Sequence, residues 1–165
     1  MKKLIPIILC VLMLMGCSVQ PTFETVDDLP ADGTPAPAKQ LQISLPKEAA
    51  TPVMEGEAGV CLYDCGDYLL TTQTLSGGDL DATMRQLTGF TVSDLSHMKT
   101  KQQNLDRYDC VWTAIGESGE QVCRAVVLDD GSYHYAVTVM ADAQKAGDLL
   151  PKWQSLLRSV QLSID

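Results

Sequence analysis

RYDCVWTAI (107–115), QVCRAVVL (121–128) and SYHYAVTVMA (132–141) follow one another, separated by Gly116-Glu117-Ser118-Gly119 and by Asp129-Asp130-Gly131. Each segment is rich in β-branched and aromatic residues and is bounded by a Gly or Asp turn composition, which predicts a three-stranded antiparallel meander. With two tight turns, Trp112 lies opposite Cys123 and Cys123 opposite Thr138. Alternation then sorts the side chains into two faces. One carries Val111, Thr113, Ile115, Val122, Val126, Leu128, Tyr133, Tyr135, Val137 and Val139. The other carries Cys110, Trp112, Ala114, Cys123, Ala125, Val127, His134, Ala136, Thr138 and Met140. Both faces are apolar enough to need cover.

The flanking segments supply that cover. After Asp148, residues Leu149, Leu150, Trp153, Leu156, Leu157 and Val160 recur at helical spacing and form one wide apolar face, with Pro151 tolerated in the first turn. Upstream, Asp79 is a helix N-cap, Leu80, Met84 and Leu87 are an apolar stripe, and Gly89 is a stop. LQISLP (41–46) reads as an opening strand. GVCLY (59–63) and YLLTTQTL (68–75) read as a hairpin around Asp64-Cys65-Gly66-Asp67. The segment from Phe90 to Leu105 supports no assignment. The expected fold class is α+β, an antiparallel sheet of hairpin plus meander between helices, over a single domain spanning 41–165.

Four cysteines fall in that domain. Cys61 and Cys65 are spaced C-x3-C, which is neither a common zinc spacing nor that of a thioredoxin-like redox motif. Cys110, Cys123 and His134 share a face, but in the drawn register His134 pairs near Val127, roughly 13 Å along the strand from Cys123. One zinc ion cannot bridge that distance, so no metal and no cofactor is expected. The thiols are either two disulfides, Cys110–Cys123 and Cys61–Cys65, or reduced core residues. In the register with Trp112 opposite Cys123, Cys110 and Cys123 sit diagonally, at ~7–8 Å, beyond a relaxed bridge. No nucleophile, base and orienter are grouped along the sequence, which disfavours an enzyme. Trp112, His134, Thr138 and Met140 are a candidate ligand face.

At the start of the chain, Lys2 and Lys3 precede the apolar run LIPIILCVLMLMG (4–16) and then Cys17. A run of this length is too short to span a bilayer and fits the apolar core of a signal peptide. Leu14-Met15-Gly16-Cys17 resembles the lipobox of bacterial lipoproteins, with Met15 bulkier than is usual there. The resemblance implies cleavage after Gly16 and a diacylglycerol on Cys17, with further acyl chains (palmitate) holding the mature protein on a membrane. Residues 1–16 are then the signal peptide. Residues 17–40, rich in Pro, Asp, Thr and Ala, are a flexible tether. The expected location is the outer face of the cell membrane, or the outer membrane or periplasm in a host with two membranes.

The formal net charge is −9, and it becomes −11 without Lys2 and Lys3. Such a surface repels nucleic acid. The opening ISLP (43–46) and the ending WQSLLRSV (153–160), with the element order between them, resemble small lipoproteins of the PsbP-like α/β/α sandwich type. That resemblance implies an accessory, non-catalytic character. The expectation is a membrane-anchored extracytoplasmic module that binds an envelope protein partner or a small ligand. The alternative is a cell-envelope hydrolase or thiol redox enzyme working through Cys61, Cys65 or His134.

Overall fold

A computed structural model describes residues 36–49, 51–56, 59–116 and 119–163. Seven strands form one antiparallel sheet among these residues: β2 (Met54–Glu55), β3 (Cys61–Asp64), β4 (Leu69–Ser76), β5 (Ser96–Gln102), β6 (Leu105–Gly116), β7 (Gly119–Asp129) and β8 (Tyr133–Asp142). Their order is β2-β3-β4-β8-β7-β6-β5, so the hairpin β3–β4 joins the meander through β8. A separate ribbon pairs β1 (Leu41–Gln42) with β9 (Gln161–Leu162). Helix α1 spans Leu80–Thr88 and helix α2 spans Ala143–Arg158. The class is α+β. No described helix is long and apolar enough to cross a membrane.

The meander forms with Trp112 opposite Cys123 as expected. Its second turn differs: Cys123 lies opposite Met140, and Thr138 lies opposite Ala125. Asp130 Oδ1 accepts the backbone N–H groups of Ser132 and Tyr133, which holds those two residues in the turn and lengthens it. The pairing slips by two residues. Because the side-chain period is two, every residue keeps its face.

α2 lies on the aliphatic face. Trp153, Leu156, Leu157 and Val160 pack against Val126, Leu128, Tyr135, Val137 and Val139. The helix has its N-cap at Asp142, six residues before the expected Asp148, because Ala146 is drawn into the core; Pro151 therefore lies well inside it. Val111 and Ile115 are not covered, and Ile115 is 85% exposed. The helix ends against β5 and β6. Arg107 donates to the Leu157 carbonyl at 3.1 Å, and Gln102 Nε2 to that of Val160 at 2.7 Å. Leu157 lies in the last turn, where its carbonyl also accepts the Val160 N–H at 3.4 Å, and Val160 follows just beyond the helix.

On the other face α1 packs Met84 against Tyr108, Cys110, Val127 and Ala136. Asp79 caps it through Oδ1 to the N–H groups of Asp81 and Ala82. Gly89 ends it at φ 85, a left-handed backbone that glycine adopts without strain. The unassigned segment 90–105 becomes a 3-10 turn, Val92–Asp94, and edge strand β5, turning into β6 through Gln103 and Asn104 at positive φ. LQISLP is a strand only over Leu41–Gln42. Lys39 and Gln40, at the end of the expected tether, bond by their backbone N–H groups to Tyr135 Oη and Ser163 Oγ.

Candidate functional site: the face under the short helix

Cross-strand registers arrange the α1 face in rows. α1 covers the row Ala136–Val127–Tyr108. The next row runs Met54–Leu62–Thr71–Thr138–Ala125–Cys110, and the one beyond runs Leu69–Met140–Cys123–Trp112. Four strands at ~4.8 Å spacing make that last row roughly 14 Å long. Most of these two rows lie outside the cluster built by α1. Met54 is 56% exposed and Leu69 36%, while Trp112, Met140, Leu62 and Thr71 are half-buried. The residues named in these two rows carry no charge, and the exposed Asp64, opposite Leu69 on β3, bounds the strip at that end.

Trp112, Thr138 and Met140 thus lie together on this strip. His134 shares their face but sits elsewhere, fully buried beneath the start of α1. Its Nδ1 is 2.7 Å from Thr83 Oγ1, and its Nε2 is 3.6 Å from Asp129 Oδ1. The carboxylate beside Nε2 favours the proton on that nitrogen, so the Thr83 hydroxyl donates into Nδ1. Thr83 also borders a concavity of about 400 Å³ lined by Ser76, Gly77, Asp79 and Gln86. Hydroxyl, imidazole and carboxylate in sequence form the outline of a nucleophile, base and orienter. The burial of Thr83 and His134 makes the pair first of all a fastening between helix and sheet.

Thr83 and Asp129 were not recognisable as partners of His134 in the sequence, where Asp129 read as a turn residue. Thr83 carried one signal: it stands three residues after Leu80, on the inward side of the α1 stripe.

The four domain cysteines are free thiols in the structure. Cys110 faces Ala125 and Cys123 faces Trp112, the diagonal placement that leaves a bridge unformed. Cys61 stands half-buried opposite Thr72, and Cys65 is buried in the α2-side core. Burial, aided by Asp109, pushes the Cys110 thiol up to about 11, and burial raises Cys123 as well. Both remain protonated at neutral pH and are poor nucleophiles. His97 lies opposite Cys110 on β5 with Nδ1 3.1 Å from the Leu95 carbonyl. Observed His134 stands opposite Asp129, six residues along from Cys123. Cys17 and the segments 1–16 and 17–35 lie outside the described residues.

No protein-family model matches this chain, and no characterised protein matches it in sequence. Among solved structures, a protein of Bacteroides thetaiotaomicron is similar over 76% of this chain, with a TM-score of 0.52 and 9% identity; the chain spans 46% of that protein's length. LpqN of Mycobacterium tuberculosis, involved in cell envelope biogenesis, is similar over 81% of this chain and 88% of its own, with a TM-score of 0.49 and 10% identity. The first likeness is one of fold alone, and the second carries nothing further.

Proposed function

We propose that this protein is a lipid-anchored extracytoplasmic binding module, tethered through Cys17, that seats an envelope protein or small ligand on the strip Leu69–Met140–Cys123–Trp112. The observation that carries the reading is the chemistry of that strip. From Leu69 to Trp112 it is apolar and partly exposed on a chain of net charge −9, with Asp64 bounding its Leu69 end, and its middle is made of small residues flanked by Trp112 and Met140. Aromatic and Met side chains around a shallow floor are the composition of recognition surfaces. The lipobox-like Leu14–Cys17 and the Pro-rich stretch after it support the placement outside the cytoplasm. The layered α+β architecture fits the PsbP-like type and its accessory character.

The test is photocrosslinking on intact cells, with a photoreactive residue at Leu69, Trp112 or Met140 and a control at Gln86 on α1. A discrete adduct from the strip positions alone supports the binder; no adduct, or the same adducts from the control, removes it. A second reading, a cell-envelope hydrolase, is favoured by the Thr83–His134–Asp129 arrangement beside its concavity. An envelope activity lost in a folded His134→Asn variant would select it.

A further inference from the structure

The chain has four arginines, Arg85, Arg107, Arg124 and Arg158. Three of them line one concavity of about 170 Å³ between α2 and strands β5, β6 and β7, together with Met98, Asp109 and Gln154. This convergence runs against the average of a chain with 21 acidic and 12 basic residues. Asp109 is the one acid in the lining, and both its oxygens are taken by Arg107, at 2.8 Å each. Arg107 also donates to Gln102 Oε1 and to the Leu157 carbonyl. Its guanidinium is therefore committed to closing the fold, and its charge is balanced in place.

Arg124 and Arg158 differ. Neither has a hydrogen bond or ion pair to any described residue. Arg124 is half-buried on the face opposite the apolar strip, between Val111 and Val139 in register, and Arg158 ends the last turn of α2. Beside them Met98 is 59% exposed and Val111 38%. Two uncommitted guanidiniums over an apolar margin match a planar oxyanion attached to an apolar group, because guanidinium forks pair with carboxylate and phosphate oxygens.

We propose that this concavity binds a small oxyanion, a carboxylate or a phosphate ester, carried on an apolar group. Arg124 and Arg158 hold the anion, and Met98 with Val111 flank the apolar portion. Drug-sized ligands occupy pockets from about 300 Å³ upward, so this one takes a small head group. The site lies on the opposite side of the sheet from the Trp112 strip and does not depend on the function proposed for that strip.

The experiment is titration of the full chain, in a non-ionic detergent, with inorganic phosphate and separately with N-acetyl-leucine, read by NMR at the four arginine Nε–Hε signals. The expected result is a saturable shift of the Arg124 and Arg158 signals, with Arg85 unmoved and N-acetyl-leucinamide inert. Arg124→Ala and Arg158→Ala each weaken binding by about tenfold or more, Arg124→Lys retains part of it, and Arg85→Ala changes nothing. Tighter phosphate binding assigns the natural ligand to phosphoryl head groups, and tighter N-acetyl-leucine binding to acylated amino acids or chain ends. Shifts that fail to saturate with either probe overturn the proposal. So does affinity unchanged in a folded Arg124→Ala/Arg158→Ala variant, or equal binding of the neutral amide.

Discussion

The two sides of the sheet are closed by different means. On one side a 16-residue helix lays Trp153, Leu156 and Leu157 over a floor of Val, Leu and Tyr side chains that are fully buried. On the other a 9-residue helix buries Met84, leaves Leu80, Leu87 and Trp112 only partly covered, and is fastened by the Thr83–His134 hydrogen bond. The first side carries the larger apolar burial and hence most of the hydrophobic stabilisation. The second side, needing to contribute less, has room for a partly exposed strip. Stability and candidate binding surface are therefore separated by the thickness of one sheet.

The sharpest test of that division compares Trp153→Ala with Met84→Ala. Trp153 has no exposed surface and packs edge-on against Tyr68 at 6.1 Å between ring centroids. Its removal should cost about 3–5 kcal/mol. Met84 is as deeply buried, but its neighbours Leu80, Leu87 and Val92 can settle into the space. Met84→Ala should fall near the low end for such changes, about 2 kcal/mol. Trp153→Phe should cost less than Trp153→Ala, because one ring is kept and the indole N–H it removes has no partner among the described residues. Urea unfolding with an unchanged slope measures all three. Equal losses for the two alanine variants would break the comparison.

How far the sequence disclosed this arrangement follows from how local each cue is. The meander and its two faces were legible because β7 and β8 alternate within one hairpin, and face membership survived a two-residue slip in register. α1 was legible from Asp79 and Gly89, whose capping roles act within a few residues. β5 was not, because SHMKTKQ is exposed on both faces and so has no alternation to read. Its turn uses Gln103 and Asn104 in left-handed conformations where an Asn-Gly pair is the usual signal. The start of α2 was misplaced because Asp148 and Pro151 imitate a helix beginning, while the burial of Ala146 is a tertiary effect. Trp112, Thr138 and Met140 could be grouped from alternation alone. The pairing of Thr83 with His134, 51 residues apart, and the meeting of Arg124 with Arg158 depend on chain placement that no local pattern records.

Within the weaker side, the fastening itself can be cut. Thr83→Val keeps the shape of the side chain and removes the hydroxyl, leaving His134 Nδ1 buried without its partner. The expected cost is about 1–3 kcal/mol, and Thr83→Ser should restore most of it. Native-state hydrogen exchange should show the loss concentrated in α1 amides, with α2 protection lowered only by the global change. A uniform loss over both helices would mean that the two sides do not differ in this way.

The smallest effect is expected at the outer margin of the same side, where Lys99 and Lys101 of β5 both reach Asp106, at 2.8 and 3.1 Å. Hydrogen bonds from Lys99 and then Lys101 hold the Asp106 carboxyl below its ordinary value, and the bond to Asp106 raises Lys99. A depressed carboxyl contributes stability above its unfolded pKa and loses it as pH falls through the folded value. A raised lysine contributes below its unfolded pKa and loses it as pH rises through the folded one. The triad is therefore at full strength across the neutral range and fades towards both extremes. Because these groups face solvent, the contribution is small and screened by salt. Asp106→Asn should flatten part of the acid-side decline in stability and speed exchange of β5 amides at low ionic strength, with both differences shrinking in molar salt. A salt-insensitive change would instead point to packing at the edge strand, and the lysines there would then act only by guarding an open strand against pairing with another chain.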